Sequence, residues 1–156
     1  MSNVDSAKLF FGVVLDKLQA SFPAAVYLKP DDIWLDFEEL TKGSNLALKD
    51  NNRSFRTLQI EEVAKSEDLK KQYMKLMLRW MAKEGYVHSD PTSNFTYDYV
   101  LSSKALAVLN LSLAEEKATL GTALGRATGR IGDAVQSEVV SRLIGKAFEA
   151  AQGISA

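Results

Sequence analysis

Ser66-Glu67-Asp68-Leu69-Lys70-Lys71-Gln72-Tyr73-Met74-Lys75-Leu76-Met77-Leu78-Arg79-Trp80-Met81-Ala82-Lys83-Glu84-Gly85-Tyr86-Val87 is the stretch on which the reading of the fold turns. It opens with a serine that suits a helix N-cap, followed by two acids in the first turn, where the positive end of the helix dipole favours them. It closes on a lysine and then Gly85, a cation and a stop at the opposite end. Leu69, Tyr73, Leu76 and Trp80 recur at helical period, with Met77 and Met81 beside them. That stripe predicts one long helix with Trp80 in the core, and it leaves Lys70, Lys71 and Lys75 mainly on the other side.

Working outward, Ile60-Glu61-Glu62-Val63-Ala64 reads as a short helix just before the long one. After it, Tyr86-Val87 leads into a polar stretch from His88 to Asn94. Phe95-Thr96-Tyr97-Asp98-Tyr99-Val100-Leu101 then alternates and is rich in aromatic and β-branched residues, as a strand is. Together these predict a β-hairpin. Ser102 or Ser103 caps a further helix carrying Leu106, Val108, Leu109 and Leu111.

Short helix, turn, long helix ending in Glu84-Gly85-Tyr86-Val87, hairpin, and Tyr99-Val100-Leu101-Ser102-Ser103-Lys104-Ala105-Leu106 together resemble a winged helix-turn-helix domain of the bacterial-regulator type. The resemblance covers about residues 57–112. It implies that the long helix is a recognition helix, with Lys70, Lys71 and Lys75 meeting phosphates of double-stranded DNA. It also implies that Ser93 and Asn94 serve as polar contacts in a wing whose tip carries no lysine or arginine.

Upstream, Phe11, Val14, Leu15, Leu18 and Phe22 form a helical stripe that Asp5 or Ser6 could cap and Pro23 ends. A second helix starts at Pro30-Asp31-Asp32 and buries Ile33, Phe37 and Leu40. Residues 44–56 read as a loop or an irregular hairpin. The fold class is therefore mainly α with a small β-hairpin: a winged-helix-like domain over 1–112, then a C-terminal helical appendage over 113–156.

In that appendage Leu120, Leu124, Ala127, Ile131 and Val135 share one side of a helix, and Gly121, Gly125, Gly129 and Gly132 share an adjoining one. Beyond Val135 the apolar set resumes about half a turn away as Val140, Leu143, Ile144, Ala147 and Ala151. Either the helix breaks near Gly129–Asp133 into a helical hairpin, or a long helix lies between its own chain and a second subunit. A glycine in a helix costs about 1 kcal/mol relative to alanine, so close helix approach must compensate. Leu120, Gly121, Leu124, Gly125, Gly129 and Ile131 are accordingly expected to build a homo-oligomer interface.

Chemistry is narrowly bounded. There are no cysteines and one histidine among the 156 residues, which leaves no thiolate or multi-histidine metal site and no cysteine nucleophile. His88-Ser89-Asp90 has the residue types of a hydrolytic triad, but adjacency in sequence is not triad geometry. Asp32, Asp36 and Glu39 fall on one helix face, where a magnesium site is conceivable and a solvated outer face is the ordinary outcome. The glycine-rich 121–132 segment is no phosphate loop, since no strand is expected before it and no Gly-Lys-Ser/Thr follows. No enzyme activity, catalytic residue, metal or cofactor is expected. The N-terminal apolar run Leu9–Leu15 has neither the flanks nor the length of a signal peptide or a spanning helix, so a cytoplasmic protein without membrane contact is expected.

Charge is balanced: 19 basic and 20 acidic side chains give a net charge of −1. Any attraction to phosphate would have to come from local placement rather than from a basic domain. Two functions stay open. One is a dimeric winged-helix regulator bound to DNA, which the resemblance favours. The other is a non-catalytic interaction module that engages a protein partner through the winged helix and the C-terminal helices.

Overall fold

The computed structural model describes residues 2–49, 54–89, 98–132 and 135–154, and everything below refers to these. Their elements run α1 (Asn3–Ser21), β1 (Val26–Tyr27), α2 (Pro30–Leu40), β2 (Asn45–Lys49), β3 (Phe55–Gln59), α3 (Ile60–Ala64), α4 (Glu67–Lys83), β4 (Val87–Ser89) and β5 (Asp98–Leu101). There follow α5 (Ser103–Leu109), β6 (Ser112–Leu113), β7 (Ala118–Thr119), α6 (Leu120–Ala127) and α7 (Ser137–Ile154). The protein is mainly helical with small antiparallel sheets, and no helix among the described residues is long and apolar enough to cross a membrane.

Helix α1 is the axis of the molecule. Ser2 rather than Asp5 or Ser6 caps it, accepting the backbone N–H of Asp5 at 3.1 Å. Leu9, Phe10, Phe11, Val13, Val14, Leu15 and Leu18 are all buried, so the helix is covered on every side and not along one stripe. At about 1.5–3 kcal/mol for each large apolar side chain, these residues are a principal source of the stability. Phe22, placed on the stripe by its spacing, lies past the helix end and is exposed.

Helix α2 packs on α1 through Ile33, Phe37 and Leu40, with Trp34 also buried. The segment 44–56, read as a loop or an irregular hairpin, holds β2 and the start of β3, which pair antiparallel in regular register from Asn45↔Gln59 to Lys49↔Phe55. Leu46, Leu48 and Leu58 are its buried side. Its alternation is carried by so few apolar residues that a polar flank disguised it.

The three-stranded sheet has the order β1-β5-β4, with Val26↔Tyr99 and Val87↔Leu101 among its pairs. Gly85, at φ +82°, makes the left-handed step that takes α4 into β4. Ser102 caps α5 by accepting the Ala105 N–H at 3.1 Å. Ser93 and Asn94, expected as polar contacts in a wing, and Phe95 to Tyr97 of the expected strand lie outside the described residues.

The C-terminal segment is not an appendage. Val140, Leu143, Ile144, Ala147 and Ala151 of α7 are buried in one hydrophobic core with α1, which also takes in Leu120, Ala123, Leu124 and Ala127 of α6. No boundary at 112/113 divides that core. Of the two solutions open in the sequence, the break is the one adopted: α6 ends at Ala127, Gly129 and Gly132 have φ +85° and +108°, and α7 begins at Ser137. Gly12 of α1 marks the crossing of α7, since a Cβ there would sit 2.7 Å from Val140 Cγ1.

Candidate nucleic-acid interface on the long helix

Helix α4 forms where its signals place it. Ser66 Oγ accepts the Leu69 N–H at 3.3 Å, and Lys83 stands in the last turn. Beyond the end, Lys104 Nζ donates to the Glu84 carbonyl at 2.8 Å and lies 4.5 Å from the Tyr86 ring centroid, so a cation sits at the negative pole of the helix. Burial, with the Glu84 charge beside it, pushes the Tyr86 phenol up.

The rotation of α4 differs from the expectation. Leu69, Tyr73, Met74, Met77, Leu78 and Met81 face the core, while Leu76 is 49% and Trp80 40% exposed. The apolar residues of this helix span an arc well over half its circumference, so periodicity alone could not say which edge of the arc is dry. Trp80 lies at the rim, in edge contact with Phe11 at 5.8 Å and Phe148 at 5.9 Å.

The three candidate lysines do not form one strip. Lys70 is buried at 7% exposure, with its Nζ 2.6 Å from Asp31 Oδ1 and 2.7 Å from Glu67 Oε1. Burial alone would pull its pKa down. The hydrogen bonds and charges of Asp31 and Glu67 more than offset this and hold it above the usual lysine value, and the hydrogen bond from Lys70 lowers the Asp31 carboxyl. Lys70 thus bolts α4 to α2, and its charge is already satisfied.

Lys71 and Lys75 are exposed, and two further cations that the sequence pattern did not single out, Arg79 and Lys83, continue their row at i, i+4 spacing. Each step of four residues turns about 40° beyond a full revolution, so the row crosses the middle of the outer face. None of the four makes a salt bridge among the described residues. Two acids of the first turn lie by the row: Asp68 shares this face, and Glu67, four residues before Lys71, borders it while paired to Lys70. The signal that reveals the row is helical angle, by which residues four apart are neighbours, whereas closeness in sequence groups Lys70 with Lys71 wrongly.

The remaining sequence candidates fall elsewhere. Leu120, Gly121, Leu124 and Gly125 are buried within the chain. A Cβ on Gly121 would meet Gln19 and the Leu109 carbonyl, and one on Gly125 would meet Arg130 and Ile131. Their close approach is therefore intramolecular, and of the six expected interface residues Ile131 is exposed and Gly129 half-buried. Asp32 and Asp36 are exposed, Asp36 being paired to Lys17 at 2.8 Å. His88 is an exposed strand residue opposite Val100, and Asp90 lies outside the described residues. A strand, β7, does precede α6, but it is two residues long and pairs only with β6. No protein-family model, curated protein or solved structure matches the chain.

Proposed function

We propose that the protein binds nucleic acid as a winged-helix module, laying the outer face of α4 against duplex phosphates. The row Lys71, Lys75, Arg79 and Lys83, exposed and without salt bridges among the described residues, is the observation that carries this reading. Like charges at i, i+4 cost a helix a few tenths of a kcal/mol per pair, and a polyanion laid along the row relieves that repulsion. The order β1-β5-β4, in which the strand between α1 and α2 is added to the antiparallel pair that follows α4, supports the winged-helix part of the reading. A net charge of −1 means that binding depends on this one face.

The test is retardation of a duplex as a function of salt. The wild type should bind at low salt and weaken as salt rises, because displaced counterions drive association. Replacing Lys71, Lys75 and Arg79 with alanine should reduce the slope of log K against log salt by about 0.9 for each phosphate left without its cation. Lys70 should not contribute to that slope.

The second reading, a protein-interaction module, is favoured by Leu76 and Trp80, which expose apolar surface beside the row. A wild type that retards no duplex even at low salt selects it.

A further inference from the structure

We infer that the β2–β3 hairpin is a second arm of the α4 surface, in which Phe55 makes an apolar contact with a nucleobase beside the phosphates gripped by the basic row. This inference rests on the nucleic-acid reading and adds to it a specific residue and a specific chemistry.

Phe55 is 75% exposed, more than any other large hydrophobic side chain described. Single exposed apolar residues are ordinary on a protein surface. What sets this one apart is its mounting. Phe55 is paired across the hairpin with Lys49, so the two side chains stand on the same face of the ribbon. The free edge of Lys49 is held by Gln72 of α4: the Lys49 N–H donates to Gln72 Oε1 at 2.7 Å, and Gln72 Nε2 donates to the Lys49 carbonyl at 2.8 Å. The carboxamide thereby occupies both backbone groups of an edge residue, as another strand would.

Gln72 sits between Lys71 and Lys75 in sequence and next to the basic row on the helix. The clamp therefore fixes the hairpin end, with Lys49 and Phe55, against the same face that presents Lys71, Lys75, Arg79 and Lys83. Leu46, Leu48 and Leu58 anchor the other side of the ribbon in the core. Cations beside a solvent-exposed ring on a ribbon clamped to the same helix are the two components of nucleic-acid contact: charge for the backbone and an apolar face for bases. The base face can be offered by an unpaired nucleotide or by a step of duplex opened by a wedge.

The experiment is fluorescence anisotropy with a duplex and a single-stranded probe, for wild type, Phe55→Ala, Phe55→Trp and Gln72→Ala, each across a salt series. Replacing the stacking ring with alanine should weaken binding by about tenfold. Because no cation is removed, the salt slope should stay as in the wild type. Phe55→Trp should retain the affinity. Gln72→Ala should forfeit part of it, since the ring is then no longer held in place. Weaker binding of the duplex supports a wedge, and weaker binding of the single strand alone supports an unpaired base. Phe55→Ala binding both probes as tightly as the wild type overturns the arm and leaves the basic row standing. A wild type that binds neither probe at low salt overturns the nucleic-acid reading and the arm with it. Phe55 is exposed, so thermal melting of the alanine variant should match the wild type, and this separates a binding defect from a folding defect.

Discussion

Asp16, in the middle of α1, and Arg130, in the link between α6 and α7, face each other in a two-pronged ion pair: Arg130 Nε lies 2.9 Å from both carboxylate oxygens, and its Nη2 is 2.9 Å from Oδ1. Thr128 Oγ1 and Gln19 Nε2 each donate to the same carboxylate at 2.8 Å. Gly125 leaves the space, since a Cβ there would lie 2.7 Å from the guanidinium. The pair ties the turn that reverses the chain to the central helix.

The two partners are unequal, and this predicts an asymmetry. The Asp16 side chain is 4% exposed and that of Arg130 37%. Arg130→Ala strands a buried carboxylate on two neutral donors and should cost about 3 kcal/mol. Asp16→Asn lets the guanidinium return to water and keeps an acceptor for Thr128, so it should cost about 1 kcal/mol. Urea denaturation of the two variants checks the order. Equal losses would show that Arg130 does not compensate the buried charge.

Lys70 should be replaceable in a way that the outer cations are not. Lys70→Met keeps the packed stem and leaves Asp31 and Glu67, both mostly exposed, to solvent, so stability should change by less than about 1 kcal/mol. Removing both acids instead leaves a buried ammonium alone and should cost more. The sign with pH follows from the shifts. Asp31 is lowered, so its contribution is present above its ordinary value of 3.8 and lost as pH falls through its folded value; Lys70 is raised, so its contribution is present below 10.5 and lost as pH rises through its folded value. Lys70→Met should lose both dependences while retaining the salt slope of any duplex binding.

Tyr73 and Trp34 carry buried polar atoms, the phenol oxygen and the indole nitrogen, that have no hydrogen-bond partner among the described residues. Their rings, with Phe10 and Phe37, form an aromatic cluster between α1, α2 and α4. Tyr73→Phe removes an unsatisfied hydroxyl without changing the ring contacts and should stabilise by about 1 kcal/mol. Burial pushes the Tyr73 phenol well above its ordinary 10.0. A raised value makes the contribution full below 10.0 and lost as pH rises from there, so Tyr73→Phe should flatten the alkaline fall in stability. Melting curves between pH 7 and 11 measure both effects, and a destabilised variant would reveal a bound partner for the hydroxyl.

Shortening the chain to end at Asn110 should abolish cooperative unfolding, because α6 and α7 supply the other half of the core around Phe11, Val14 and Gly12. Gly12→Leu tests the same packing within the full chain. Its side chain would run into Val140 and Ile144, whose branched ends cannot move aside cheaply, and overpacking of this kind costs about 1–3 kcal/mol. An unchanged midpoint in calorimetry would mean that α7 does not cross at Gly12.

Trp80→Ala belongs on a lower scale than its place in the sequence stripe suggests. A rim residue that keeps 40% of its surface in water should cost about 1–2 kcal/mol, against about 3–5 kcal/mol for Phe11→Ala, which leaves a full cavity. Denaturant midpoints of the two variants give the comparison.

What the sequence determined by itself is local. The cap at Ser66, the start at Pro30 and the stop at Gly85 each depend on backbone groups within a few residues, so residue type and spacing are enough to read them. The cap at Ser102 and the break near Gly129 are each one of two alternatives that the sequence leaves open. The apolar set Val140, Leu143, Ile144, Ala147 and Ala151 likewise names the buried side of α7 with no partner in view. Tertiary structure decided everything that depends on which neighbour arrives. Leu69 to Met81 offer more apolar surface than one core contact covers, and only the docking of α1, α2 and the β2–β3 hairpin leaves Leu76 and Trp80 at the edge. Lys70 is buried because Asp31, 39 residues away in sequence, is brought within hydrogen-bonding distance of it. The glycines of α6 face Gln19, Leu109 and Arg130 of the same chain. Capping is settled locally by backbone hydrogen bonds, whereas burial is shared among segments distant in sequence, and a one-dimensional pattern shows which faces can be buried without showing which of them will be.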